Sequence, residues 1–229
     1  MRFSFVVMDL NGTLVDTFDD LTDALNSILA DHGREPLAVA QVRVWQGEGL
    51  RSLLRSAFKA TGPTLGDLEI GEVLLTFRAV YEQHLGTRAQ LYPGVSAALS
   101  ALAQRGVRMS ILTNKPLSPS IKLLAQLRIG HHFDSIVAGD GAAARKPDPT
   151  GLLQLMAQAD ANPATTLMLG GTRLDLETAR HAGVPCAIVD RSPLGAAVRG
   201  MGADYVLADL QMLPALCVPR PASDVWPVV

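Results

Sequence analysis

Short apolar runs alternate with helix-period patterns along most of the chain. The runs FSFVVMD (3–9), VRMSILT (107–113), SIVAG (135–139), TLMLG (166–170), PCAIVD (185–190) and DYVLA (204–208) predict strands. Several are apolar almost without interruption, as parallel strands covered by helices on both faces should be. Helical patterns fall between them, from Gly94 to Arg105, Pro119 to Leu127, Pro149 to Ala159, and Leu174 to Ala182 with Gly183 as a stop. This alternation predicts an α/β fold built on a doubly wound parallel sheet.

One stretch breaks the rhythm. Between the first strand and the run at 107–113 no strand pattern appears, but three or four amphipathic helices do. The first spans Phe18 to Asp31, with Leu21, Ala24, Leu25, Ile28 and Leu29 on one stripe and His32-Gly33 as its end. The others are LRSLLRSAFKA (50–60) and LEIGEVLLTFRAVYEQHL (68–85). An all-helical insert after the first strand of a parallel sheet is expected over the carboxyl ends of the strands, where such sheets bind ligands. The expected organisation is therefore a core of residues 1–15 and 90–229 and a helical cap of residues 16–89. The Pro-rich stretch VPRPASDVWPVV (218–229) reads as an irregular terminus.

Composition narrows the function classes. With 229 residues, 48% of them hydrophobic, the chain is long enough to bury a substantial core. A formal charge of −2 gives no broad basic field for nucleic acid. No stretch approaches the roughly 18 apolar residues of a membrane span, and Phe3 to Met8 is too short for a signal-peptide core. The expected location is the cytoplasm. Cys186 and Cys217 fit no CxxC or Cys/His ligand pattern and are expected to be buried thiols. His131-His132 reads as a polar loop rather than a metal pair, and Trp45 and Trp226 as packing groups.

The chemistry should lie just after the strands. Asp9 ends the first, and Gly12 and Thr13 follow in a turn whose backbone N–H groups could form an anion-binding nest. LTNKP (112–116) brings the Thr113 hydroxyl and the Asn114 amide, RKPDP (145–149) brings Lys146, and GGTRLD (170–175) brings Asp175. A nucleophilic carboxylate, a hydroxyl, a cation and a second carboxylate in one crevice suit phosphoryl transfer, which demands positioning and charge neutralisation.

These residues also carry a resemblance. DLNGTLVD (9–16), a strand ending in TN (113–114), KPDP (146–149) and GGTRLD (170–175) follow the motif order of the haloacid dehalogenase (HAD) superfamily, with its Rossmann-like core. The helical insert, WQGEGLRSLL (45–54) and LYPGV (91–95) resemble its phosphoglycolate phosphatase branch. The resemblance implies that Asp9 attacks a small phosphorylated metabolite to form an aspartyl-phosphate. Thr113 and Lys146 would hold the phosphoryl oxygens, with Gly12 and Asn114 beside them. Mg²⁺ would be held by Asp9, the backbone carbonyl of Asn11 and Asp175. Gly47, Glu48 and Gly49 match a cap loop that inspects the leaving group.

Two positions depart from the pattern. Asn11 stands where hydrolytic members carry the aspartate that protonates the leaving oxygen and then activates water, and an amide has no proton to exchange. Gly171 stands where a metal-binding aspartate is usual. Asp175 either substitutes for it in part or caps the following helix. The function expected from the resemblance is hydrolysis of small phosphomonoesters, impaired at these two positions. The alternatives are a silent phosphate-binding or interaction protein and a metal-independent dehalogenase. Restoring both carboxylates together is expected to revive turnover by more than the product of the single gains.

Overall fold

The computed structural model describes residues 3–45, 49–140, 145–190 and 200–217. The chain forms two compact units, one of residues 1–15 with 91–229 and the other of residues 16–90.

The first unit is built on a six-stranded, all-parallel sheet. Its strands are β1 (Phe5–Met8), β4 (Arg108–Leu112), β5 (Ser135–Val137), β6 (Thr166–Gly170), β7 (Cys186–Val189) and β8 (Tyr205–Leu207), and their order across the sheet is β5-β4-β1-β6-β7-β8. The intervening numbers belong to β2 (Val15–Asp16) and β3 (Gln90–Leu91), a two-stranded ribbon where the chain passes from one unit to the other. Every residue of β1, β6 and β7 is buried, so unbroken apolar sequence is what these central strands require.

Helices α5 (Val95–Gln104), α6 (Leu117–Gln126), α7 (Thr150–Gln158) and α8 (Arg173–His181) connect the strands. One core cluster joins Phe5, Val7 and Met168 of the sheet to Leu152 and Leu155 of α7 and Leu176 of α8. Each such side chain contributes about 1.5–3 kcal/mol by leaving water. The strand order reverses at β1, since β4 lies on one side of it and β6 on the other. A doubly wound sheet opens its crevice at that point, beyond the carboxyl ends of the strands.

The second unit is helical: α1 (Phe18–Asp31), α2 (Val39–Val44), α3 (Leu50–Thr61) and α4 (Asp67–His84). Leu25, Ile28 and Leu29 of α1, Leu54 and Phe58 of α3, and Ile70 and Phe77 of α4 close one core. Asp20, wholly buried on α1, accepts hydrogen bonds from the Gly86 and Arg88 amides and the Thr87 hydroxyl. That carboxylate fixes the segment leading into β3.

Four features escaped the sequence pattern. Helix α2 has one fully buried residue, Val42, and so shows almost no periodicity. β2 and β3 are two residues each, too short to alternate. Leu210–Leu216 forms a 3₁₀ helix around Pro214. His131 and His132 fall in a 3₁₀ turn with their rings 4.1 Å apart. The irregular terminus expected at 218–229, Trp226 included, lies outside the described residues.

Candidate active site

Register carries Asp9 to the mouth of the crevice. Met8 of β1 is level with Ile111 of β4 and Leu169 of β6, and the Asp9 amide donates to the Leu169 carbonyl at 2.9 Å. Thr113 leaves β4 at the same edge, its amide donating to the Val137 carbonyl at 3.0 Å. The Thr113 side chain is buried, and its Oγ1 accepts from the Lys115 amide at 3.2 Å.

The centre of the site is Lys146. Its Nζ lies 2.5 Å from Asp9 Oδ1 and 2.5 Å from Asp175 Oδ1, and all three side chains are buried. The second Asp9 oxygen accepts from Thr13 Oγ1 at 2.9 Å. Burial pushes the Asp9 carboxyl up to about 6, against the pull of the Lys146 ammonium and with a further push from the Asp175 charge. Burial also works against the Lys146 charge, but the Asp175 and Asp9 carboxylates override it and hold the ammonium above its ordinary value. With Asp9 ionised, the triad carries two negative charges and one positive.

Asn114 braces the backbone of Lys146. Nδ2 donates to the Lys146 carbonyl at 3.0 Å, and the Lys146 amide donates to Oδ1 at 2.8 Å. Each polar end thus holds the lysine's main chain by one hydrogen bond, which positions Lys146. Gly12, at φ +80°, makes the left-handed turn expected of it. Its N–H, however, donates to the Val15 carbonyl at 2.8 Å, and the Leu14 amide to Leu10 at 3.0 Å. The turn therefore spends the Gly12 and Leu14 amides on itself.

Asp175 resolves to a helix cap as well as an ion partner. Its Oδ2 accepts from the Gly171 amide at 3.1 Å, the Thr172 amide at 2.9 Å and Thr172 Oγ1 at 2.8 Å, forming the capping box of α8. Gly170 must be glycine here, because a Cβ would sit 2.2 Å from the Asp175 Cβ. At Gly171 an added Cβ would lie 2.9 Å from the Gly12 carbonyl oxygen and 3.3 Å from Thr13 Oγ1. The turn after Asp9 closes over position 171, leaving no room for a carboxylate without a backbone shift.

These facts bear on a divalent cation. Mg²⁺ is usually held through one or two carboxylates with octahedral oxygen ligands. Both oxygens of Asp175 are committed, position 171 offers no side chain, and Lys146 lies against the remaining Asp9 oxygen. Among the described residues no group of three or more His, Cys, Asp or Glu side chains is placed to hold a metal. The two carboxylates of the Mg²⁺ site that the motif resemblance implies, Asp9 and Asp175, are thus already engaged by Lys146, Thr13 and the α8 cap.

The remaining candidates fall elsewhere. Gly47 and Glu48 lie outside the described residues. Gly49, at φ +85°, stands before α3 in the helical unit. Cys186 and Cys217 are buried free thiols, and burial pushes the Cys217 thiol up to about 12. Neither is a nucleophile at neutral pH. Among the described residues no helix is long and apolar enough to cross a membrane.

Comparison with known proteins shows the family and the fold. Residues 6–189 match the family model described as haloacid dehalogenase-like hydrolase. A phosphoglycolate phosphatase of Rhodospirillum rubrum is 37% identical over 224 residues, covering 96% of this chain and 93% of its own length. Phosphoglycolate phosphatase 1 of Pseudomonas aeruginosa is 40% identical over 185 residues, 80% of this chain and 67% of that protein. Among solved structures, one described as a predicted phosphoglycolate phosphatase from Haemophilus somnus superposes with a TM-score of 0.82. It is 24% identical and covers 94% of this chain and 98% of its own.

Proposed function

Because the chain belongs to the haloacid dehalogenase-like hydrolase family, we propose that it recognises small phosphomonoesters of the phosphoglycolate type and hydrolyses them slowly through Asp9. The observation that carries this reading is the buried Asp9–Lys146–Asp175 triad at the carboxyl end of β1. It supplies a nucleophilic carboxylate with an ammonium beside it, in the crevice where a doubly wound sheet takes its ligands.

In this reading an Asp9 oxygen attacks phosphorus while the bond from phosphorus to the ester oxygen breaks, leaving an acyl-phosphate on Asp9. The departing alkoxide takes its proton from water, because the Asn11 amide has none to give. Water then hydrolyses the acyl-phosphate and frees inorganic phosphate and the carboxylate. Lys146 offsets charge on the phosphoryl oxygens, and Thr113 and Thr13 orient the group. Absent general acid–base help lowers the rate by roughly 10²–10⁴. The crevice also opposes its own ligand, since two carboxylates face one ammonium before a phosphate dianion arrives.

The test is phosphate release from 2-phosphoglycolate by the wild-type protein and by Asp9→Asn. Slow release that vanishes in Asp9→Asn is the expected result. Release that persists in Asp9→Asn, or a wild-type protein that neither releases phosphate nor binds the ester in calorimetry, would overturn the reading. Binding without release would instead favour the silent phosphate-binding alternative, in which Asn11 and Gly171 have ended catalysis.

A further inference from the structure

The solvent side of α4 is out of keeping with its position. Leu68 is 86% exposed and Leu75 is 68% exposed, while Ile70, Val73, Leu74 and Phe77 on the opposite side form the core of the helical unit. Apolar residues thus fall on both sides of one helix, which a surface helix with a single buried face does not need. At about 100° per residue, Leu68, Glu72, Arg78, Ala79 and Glu82 all lie within about 60° of Leu75. They make one continuous face, seven residues from Leu68 to Leu75 and seven more to Glu82.

That face is self-complementary. Two copies of α4 packed antiparallel about a two-fold axis at Leu75 bring each residue opposite the one equally far on the other side of Leu75. Leu75 then meets Leu75 of the second copy. Glu72 meets Arg78 and Arg78 meets Glu72, giving two opposite-charge pairs by symmetry. Leu68 meets the aliphatic stem of Glu82. Glu72 and Arg78 are exposed, and neither has an ion-pair partner among the described residues of its own chain. A parallel arrangement would instead oppose like to like.

We infer that the exposed face of α4, centred on Leu75, is a homodimer contact that pairs two copies of this chain antiparallel through reciprocal Glu72–Arg78 ion pairs. Its occupant is a second copy, because the charge order along the helix complements itself only under a two-fold. The contact is one helix wide, below the roughly 1,200 Å² of a standard stable interface, so the dimer dissociates on dilution.

Sedimentation velocity across micromolar to high micromolar protein tests it. The wild-type chain should shift towards twice its monomer mass as concentration rises. Leu75→Glu should remain monomeric throughout, and since the side chain is exposed the variant should fold normally by circular dichroism. Glu72→Arg and Arg78→Glu should each weaken the dimer at least tenfold through like-charge opposition. An equimolar mixture of these two variants should dimerise again, because each supplies the sign the other lacks, and the double variant Glu72→Arg/Arg78→Glu should do so alone. A wild-type chain that stays monomeric, a dimer that survives Leu75→Glu, or a mixture that fails to recover would overturn the inference.

Discussion

Lys146 Nζ lies 2.5 Å from Asp175 Oδ1, while the other oxygen of the same carboxylate caps α8 by three hydrogen bonds. One side chain thus fixes both a helix terminus and the charge at the centre of the crevice.

Asp175→Ala and Asp175→Asn should separate the two roles. Losing the N-terminal cap costs about 1 kcal/mol, and Lys146 loses one of its two carboxylate partners while keeping Asp9. Asp175→Ala loses both contacts and should be destabilised by at least about 1 kcal/mol by urea denaturation. Asp175→Asn keeps an oxygen that can accept from the Gly171 and Thr172 amides, so it should be the more stable variant. Equal stabilities for the two would show that the cap contributes nothing.

The position before that cap bears on any attempt to restore turnover. Asn11→Asp is nearly isosteric and returns a proton-transfer group, so it should raise hydrolysis of a phosphate ester. Gly171→Asp drives a Cβ to 2.9 Å from the Gly12 carbonyl oxygen. Overpacking of that kind costs about 1–3 kcal/mol and displaces the turn that carries residue 11. Adding Gly171→Asp to Asn11→Asp should therefore lower the melting temperature and give no gain beyond the product of the single effects. A double variant as stable as the parent, with turnover above that product, would mean the turn yields freely.

How much of this was legible follows from where the information sits. β1 and β6 were readable because strands buried on both faces must be apolar throughout. Asp9, Lys146 and Asp175 were readable as carriers of chemistry because they stand just past strand ends or before helices. The roles of Asn114 and Gly12 were not readable, since whether an amide or an N–H faces a ligand depends on a partner such as Lys146 or Val15. The constraint at Gly171 was hidden for the same reason. It arises from contact with residue 12, and not from its own backbone angle. Asp20 gave no signal, because an aspartate in the first turn of a helix ordinarily only complements the dipole.

Asp20 should nevertheless prove structural. Asp20→Ala leaves the Gly86 and Arg88 N–H groups short of the carboxylate they share, while the Thr87 hydroxyl keeps the His84 carbonyl. Unsatisfied buried groups cost about 1–3 kcal/mol each where water cannot replace the partner. The loss should be local, so hydrogen exchange at Gly86 and Arg88 should accelerate at least tenfold while the amides in the middle of β1 keep their protection. Unchanged exchange at 86 and 88 would show that the segment is held by other contacts.

The charge of the crevice gives a prediction with a definite sign. Burial, opposed by Lys146 and assisted by Asp175, raises Asp9 from an ordinary 3.8 to about 6. Below about pH 6 Asp9 is neutral, and Lys146 and Asp175 balance. Above it the triad carries a net negative charge. Sulfate remains a dianion across this range, so its affinity should be highest below pH 6 and fall as the pH rises to 8. Phosphate-ester turnover should move the other way, because only ionised Asp9 is a nucleophile. The stability contribution has the same sign as the affinity. A carboxyl whose folded value lies above its unfolded value favours the folded state fully below pH 3.8, and that contribution is lost as pH rises through about 6. Calorimetric sulfate titrations at pH 5 and pH 8, with Asp9→Asn as the control that removes this titration, should show the pH dependence in the wild-type protein alone. An Asp9→Asn variant with the same dependence would assign it to another group.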